Sequence, residues 1–426
     1  MRPALVAMAA VLLTWFAAWR VEAAAGQHAD LVVLATVLAV TLSRLLVRDG
    51  IGSAGRRAPW LLARLVLLPV IAMAATEVGR LLATREWLGG AVFVAVLGGA
   101  VWARRFGTVG ARVGTLVTLP FLTLLVVPVP VAPDEARTLW PAAMALLALV
   151  IVTAVYLLAW WLRVVPRPEA GGSRPPSRPE ARQAPAASGR RLAASTRMAA
   201  QLWVGLAASY AIGRWLFPDH WAWIVMSCFV VCSGNRGRGD VVHKGVLRLA
   251  GALVGTAGAT LLSDSFAPGD RMAVVALFVV MALAIWLREA SYAFWAAGVT
   301  AMLALLHGYF GIGGVGQLGE RLVGVLLGCA VAVVASWWVL PVRTTDVFRR
   351  RFRDARDALD ELRAARETRP DDVPAARAAF VQAVGQLEQI EPALRLAQRA
   401  GRPHRVGEHR ALDLLARMQA ARDQVR

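Results

Sequence analysis

The sequence predicts an all-α, polytopic integral membrane protein with about twelve transmembrane helices in two parallel six-helix repeats, followed by a cytoplasmic helical tail. Hydrophobic residues make up 58% of the 426 residues and charged residues 18%, with a mean hydropathy of +0.54. A soluble chain carries about 25% charged residues. The apolar residues cluster in runs of about 20, the length of a membrane-crossing helix. The pattern of arginines in the first half recurs in the second half.

The first half, residues 1–165, contains successive apolar runs that predict helices, because backbone polar groups have no other partner in hydrocarbon. The runs are Ala4–Trp19, Leu31–Val47, Leu61–Leu82, Leu88–Ala103, Val113–Val131 and Trp140–Leu162. The first run, with Arg2 before it and Ala23–Gly26 after it, also fits a signal peptide. The repeat favours a retained helix, since the second half has a counterpart at Met198–Phe217.

The second half, residues 196–342, follows a segment of different character. Residues 166–195 are rich in proline and arginine and have no apolar face, which predicts a disordered cytoplasmic linker. The apolar runs beyond it are Met198–Phe217, Trp221–Ser233, Gly245–Leu262, Met272–Leu287, Ala290–Leu306 and Leu322–Leu340. Trp221–Ser233 is short and is also compatible with a re-entrant segment.

Residues 343–426 predict a water-soluble helical tail. Val347, Phe348, Phe352, Ala355, Leu359 and Leu362 form one apolar stripe at helical spacing. A second amphipathic helix carries Phe380 to Leu394, and a third follows Gly401–His404. We expect this tail to pack against itself or a sister chain, with a regulatory or membrane-surface role as the alternative.

Basic residues alternate from loop to loop, which predicts the orientation. If the chain crosses the membrane at each apolar run, the basic segments all fall on the same side. They are Arg48 with Arg56 and Arg57, Arg104 with Arg105, the linker, the loop of Arg236 to Lys244, Arg288 and the tail. Positive residues accumulate on the cytoplasmic side. The chain is therefore predicted to be a multi-pass plasma (inner) membrane protein with both termini cytoplasmic. The net charge of +19 follows from these flanks and does not indicate nucleic-acid binding.

The internal repeat places two arginines in equivalent positions. At one constant offset Arg64 falls on Arg248, Arg104 on Arg288 and Arg137 on Arg321. Parallel repeats are related by an axis along the membrane normal, and transporters bind substrate at such interfaces. Arg64 and Arg248 are therefore candidates for a fork-shaped carboxylate site. In the alternative, Arg248 runs along the helix surface to the headgroups.

Three further residues are candidates for the transport site. Trp102 and Trp286 are equivalent in the repeat and could stack on an aromatic ligand. Glu77 is a candidate proton-coupling carboxylate, because a desolvated glutamate titrates near neutral pH. The alternative for Glu77 is an ion pair with Arg80, three residues along the same helix face.

The stretch around Arg248 resembles a known family. A loop motif of Arg236, Asp240 and Lys244 precedes Arg248. The region resembles the fusaric acid resistance (FUSC-like) family of bacterial inner-membrane proteins, which includes aromatic acid exporters. The residues that carry the resemblance are Trp221–Trp223, Arg236, Gly239, Asp240, Arg248–Gly251 and Gly255–Thr256. Ala252 stands where the family often has threonine. The resemblance covers roughly Met198–Val342 and implies proton-gradient-driven efflux of small aromatic or other organic acids.

The sequence therefore predicts a membrane transporter that exports small organic (aromatic) acids. A passive anion channel, or a non-transporting scaffold that recruits a partner through the tail, are the alternatives. The expected partners are the lipid bilayer and a small organic anion, with a homo-oligomer or an adaptor protein left open. Cys228, Cys232 and Cys329 lack further metal ligands nearby, and no nucleophile–base pair or phosphate loop is evident. We expect no enzyme activity, no metal and no cofactor.

Overall fold

The computed structural model describes residues 2–24, 31–49, 58–125, 139–162, 194–263, 266–288, 290–309, 318–399 and 406–425. Within these ranges the regular structure is helical and no strand occurs. The chain divides into two compact units, Met1–Ala170 and Gly171–Arg426. Most of the predicted linker, residues 166–193, lies outside the described residues.

The first unit contains helices that match the predicted apolar runs in order. They are α1 (Arg2–Ala24), α2 (Leu31–Asp49), α3 (Ala58–Thr84), α4 (Glu86–Trp102), α5 (Gly107–Thr123) and α6 (Trp140–Trp161). Helix α6 packs against α1, α2 and α3, while α5 packs against α2, α3 and α4. Leu38, Leu42, Leu68 and Met144 are fully or almost fully buried and form part of its core.

A tight turn separates α4 from α5. A 3-10 turn, Ala103–Phe106, ends at Gly107, whose φ of +77° and ψ of −152° strongly favour glycine. The turn brings α5 back against α4 so closely that a Cβ at Gly114 would collide with the carbonyl oxygen of Ala100. Small residues of this kind let two helix backbones touch.

The second unit begins with a further set of apolar helices. They are α7 (Ala194–Leu216), α8 (Trp221–Cys232), α9 (Arg238–Ser263), α10 (Arg271–Leu287), α11 (Tyr292–Tyr309) and α12 (Leu318–Trp338). Helix α12 packs against α7, α8 and α9, and α11 packs against α9 and α10. Helix α8 has only 12 residues and is buried without a break from Trp223 to Phe229.

The tail of the second unit has its own hydrophobic core. It consists of α13 (Thr344–Thr368), a 3-10 turn (Pro370–Asp372), α14 (Val373–Glu388), α15 (Glu391–Arg399) and α16 (Val406–Val425). The core includes Phe348, Leu362, Phe380, Leu387 and Leu415. The second amphipathic helix is interrupted at Gln389–Ile390, since Pro392 lacks the N–H needed to continue α14.

Several helices have the length and composition of membrane spans. Among the described residues, five candidate spans qualify: Leu5–Ala24, Arg64–Thr84, Glu86–Thr123, Trp140–Trp161 and Gly319–Trp338. Shorter apolar helices are Val32–Leu46, Trp221–Cys232, Arg271–Leu287 and Tyr292–Leu306. Large apolar side chains such as Val66 and Val150 are exposed on these helices, which is typical of surfaces that face lipid. The protein is accordingly a helical membrane protein.

Candidate functional site

Helices α9 and α11 meet along a seam of glycine and alanine. A Cβ at Gly255 would collide with the carbonyl oxygen of Ala297, and a Cβ at Gly251 would collide with Ala293 and Ala296. Gly251 therefore lies beside Ala293 and Gly255 beside Ala297, so the two helices run in the same direction. The close approach of the backbones excludes large side chains from the seam.

Arg248 lies at one end of this seam and is completely buried, with 0% of its surface exposed. Its Nη1 donates to the Ala296 carbonyl oxygen at 3.2 Å and to Thr300 Oγ1 at 2.9 Å. The Thr300 hydroxyl in turn donates to the same carbonyl at 2.9 Å. The Nε and Nη2 of Arg248 have no hydrogen-bond partner among the described residues.

The Arg248 side chain is directed toward Thr300 on α11, and its binding of an anion or its reach to the headgroups both stay predictions. Ala296 lies beside Gly251 and Thr300 lies one turn further along α11, so the guanidinium extends away from the Lys244 end of α9 and into the helix bundle. A buried cation with unsatisfied N–H groups costs several kcal/mol unless an anion or water approaches it. A buried arginine in this state is a candidate anion-binding group.

Arg64 lies on α3 in the first unit and is 3% exposed. It is buried like Arg248, on a helix whose exposed neighbours are Leu65 and Val66. The two arginines belong to separate compact units, and their approach across a repeat interface stays a prediction.

The predicted aromatic residues have different surroundings. The Arg105 guanidinium lies 4.8 Å from the centroid of the Trp102 ring, and Phe106 meets that ring edge-on at 5.1 Å. Trp286 is 67% exposed on α10 and has the exposure of a lipid-facing side chain. Their role as a ligand-stacking pair stays a prediction.

Glu77 makes the ion pair that its spacing indicates. Its Oε1 accepts a hydrogen bond from Arg80 Nη1 at 2.8 Å, and 55% of the Glu77 side chain is exposed. Proton coupling by Glu77 stays a prediction.

The loop motif is a network around one buried carboxylate. Asp240 Oδ2 accepts a hydrogen bond from the Arg236 backbone N–H at 2.9 Å and lies 3.1 Å from Lys244 Nζ. Lys244 Nζ also donates to the Gly234 carbonyl oxygen at 3.1 Å. Asp240 lies in the first turn of α9, where a negative charge is stabilised by the helix dipole. The motif therefore fixes the start of the helix that carries Arg248.

The same loop binds the tail, which the sequence did not indicate. The Arg238 N–H donates to the Val342 carbonyl oxygen at 3.0 Å, and the Gly239 N–H donates to Thr344 Oγ1 at 3.1 Å. Arg236 Nη1 donates to the carbonyl oxygen of Gln389 at 3.2 Å, at the carboxyl end of α14. Arg351 on α13 donates to the neighbouring Gln386 carbonyl oxygen. Burial, followed by the positive charges of Arg236 and Arg350, lowers the pKa of Arg351.

Thr300 is the functional-site residue that sequence reasoning missed. It is a buried hydroxyl in an alanine-rich helix, and it lies 52 positions from Arg248 in the chain. A buried polar residue in such a helix is a weak signal, because threonine also bonds its own backbone at the preceding turn. Only the packing of α9 on α11 identifies Thr300 as the partner of Arg248.

Comparison with known proteins identifies the region that contains this site. The family model for fusaric acid resistance protein-like proteins matches residues 206–335, which span most of α7 to α12. No curated protein and no solved structure matches the chain. The family description indicates a membrane transport or efflux-related role. The resemblance seen around Arg248 is thereby confirmed, since residues 206–335 match the fusaric acid resistance protein-like family.

Proposed function

We propose that the protein is a secondary transporter that exports small organic acids, aromatic acids among them, across the plasma (inner) membrane at the expense of the proton gradient. The observation that carries the proposal is Arg248, a completely buried guanidinium with Nε and Nη2 free among the described residues. The planar N–H fork of arginine matches the two oxygens of a carboxylate. A carboxylate that enters this site would satisfy both free donors at once.

The proposed architecture is a duplicated unit of six membrane helices, with both termini cytoplasmic. The pairs α1–α2, α2–α6, α3–α6, α1–α6, α4–α5 and α3–α5 pack in the first unit, and their counterparts in chain order pack in the second. The contact of Gly114 with Ala100 recurs as Gly298 with Ala284, at the offset that places Arg64 on Arg248. In this proposal Arg64 and Arg248 are the carboxylate-binding residues, with Trp102 and Trp286 as candidate stacking residues.

The proposal is tested by accumulation of aromatic acids in an efflux-deficient host. Cells that express the wild type are expected to hold less benzoate or a related acid than cells without it. Arg248→Ala and the double variant with Arg64→Ala should abolish the difference, because the binding charge is lost. Arg288→Ala is the matched control, since Arg288 is an exposed arginine at the end of α10. Unchanged accumulation across a broad panel of acids would contradict the proposal.

The same assay separates coupled export from a passive anion channel. Collapse of the proton gradient should raise accumulation in wild-type cells to the level of the empty host. Flux that survives the collapse would assign a channel instead. Glu77 is the proposed proton-coupling residue, so Glu77→Gln should remove the dependence on the gradient, whereas Arg80→Gln should not. Full export by a chain without its tail would argue against a scaffold that acts through the tail.

A further inference from the structure

A second buried arginine of the second unit lies at the start of α12. Arg321 is 9% exposed, and its guanidinium carbon lies 5.1 Å from the centroid of the Trp223 ring on α8. Trp223 is itself buried, and the close approach of Gly324 to its Cβ places α12 against α8 at this level. The Nε of Arg321 has no hydrogen-bond partner among the described residues.

The surroundings of Arg321 supply no described carboxylate partner for it. Glu320, the adjacent acidic residue, is engaged by His220, whose Nδ1 lies 2.9 Å from Glu320 Oε2. Arg321 occupies the first turn of α12, where the helix dipole already provides positive potential and a second positive charge is unfavourable. An aromatic ring face attracts a guanidinium less strongly than a carboxylate does. The site therefore combines two sources of positive potential with an unsatisfied donor.

The position of Arg321 relative to Arg248 follows from the pairing of α9 with α12. Arg238 lies over the Trp337 ring at 4.8 Å, and a Cβ at Gly245 would lie 3.8 Å from Cys329 Cβ. The two helices are therefore antiparallel. At a rise of about 1.5 Å per residue, Arg321 lies roughly 8 Å further than Arg248 from the loop motif along the helix axes.

We infer that Arg321 is a second anion-binding site, which takes the carboxylate group of a small organic acid. Trp223 is its positioning residue, because the ring holds the guanidinium plane and leaves the Nε edge for the ligand. The anion site depends only on this geometry. Its role as the binding site that follows Arg248 on the export path rests on the proposed export function.

Equilibrium binding of radiolabelled benzoate to the purified full-length protein tests the inference. In nanodiscs of zwitterionic lipid, the wild type is expected to bind two equivalents of benzoate. The Arg321→Gln and Arg248→Gln variants should each bind one equivalent, and the affinities of the two remaining sites should differ. Trp223→Leu should weaken the Arg321 site about tenfold, as expected when a charge-assisted hydrogen bond loses its geometry. Arg288→Gln, an exposed arginine, should keep both sites. Thermal unfolding of each variant verifies that it is folded, and Arg321→Lys, which keeps the charge without the fork, should bind more weakly than the wild type.

The outcomes distinguish this inference from the proposed function. An unchanged stoichiometry in folded Arg321→Gln and Arg321→Lys would overturn the inference while leaving export intact. Two benzoate sites in a protein that exports no acid would support the inference and contradict the proposed function. If Arg321 binds a phosphate headgroup instead, the protein will retain anionic lipid through Arg321. Benzoate will then not bind at Arg321 in nanodiscs of any lipid composition, which also overturns the inference.

Discussion

Thr300 sets the direction of the Arg248 guanidinium. Its hydroxyl accepts a hydrogen bond from Nη1 and donates one to the Ala296 carbonyl oxygen. One side chain therefore gives the Nη1 donor an acceptor and the Ala296 carbonyl a donor. Burial of Arg248 is consistent with its place four residues beyond Lys244 in an increasingly apolar helix. The partner could not be predicted from the sequence, because it depends on the packing of two helices that are distant in the chain.

Replacement of the Thr300 hydroxyl tests the hydrogen-bonded nitrogen of Arg248, Nη1, separately from Nε and Nη2, which have no partner among the described residues. Thr300→Val should lower the free energy of unfolding by about 1–2 kcal/mol, since Nη1 keeps only the carbonyl acceptor. Thr300→Ser, which retains the hydroxyl, should stay close to the wild type. Thermal unfolding in detergent measures the difference. Equal stability of the valine and serine variants would show that the hydroxyl does not hold Arg248.

At the scale of the element, the identities of the helices follow from the sequence better than their contacts do. Apolar runs located most of the helices from α1 to α12 to within a few residues, with α5 and the start of α9 as the exceptions, since hydrophobic length is the main requirement for a span. A loop that contains Arg104 and Arg105 was predicted between Ala103 and Val113, but its tight form at Gly107 was not, because Arg104, Arg105 and Phe106 give no strong turn signal. It starts α5 at Gly107, several residues before the predicted start at Val113.

Two glycines on α9 provide a matched test of the seam. Gly255→Ala places a Cβ against the Ala297 carbonyl oxygen and should destabilise the protein by about 1–3 kcal/mol, because the helices must separate. Gly258→Ala meets open space and should be neutral or stabilising by up to about 1 kcal/mol, through helix propensity alone. Unfolding midpoints of the two purified variants give the comparison. Destabilisation of similar size in both would mean that propensity, and not the seam, decides the outcome.

At the scale of the whole molecule, the proposed repeat predicts halves that differ in their polar side chains. At the offset that places Arg64 on Arg248, Leu116 falls on Thr300 and Arg112 falls on Ala296. The proposed repeat therefore has a leucine in the first half where Thr300 stands in the second. The order of the helices could be predicted from the apolar runs, whereas the hydroxyl that orients Arg248 could not be predicted from the repeat.

The attachment of the tail to the loop motif is a long-range property of the second unit. Arg236→Ala removes the hydrogen bond to Gln389 and a cation from the carboxyl end of α14, where such charges are stabilising. We expect the tail to be cleaved several-fold faster by protease, and amides of α14 and α15 to exchange faster with solvent. Arg349→Ala is the control, since Arg349 is exposed on α13 and makes no described side-chain contact with the loop. Equal cleavage rates in both variants would show that Arg236 does not hold the tail.

The seam between α9 and α11 also has a mechanical consequence. Helices that interlock through large side chains must exchange rotamers before they can move along each other. Gly251 and Gly255 lie directly on alanine backbone, so few side chains interlock there. Movement of α9 along α11 therefore requires little change of side-chain rotamers. The hydrogen bond from Arg248 to Thr300 joins the two helices across this contact, and an anion that draws the guanidinium away would break it.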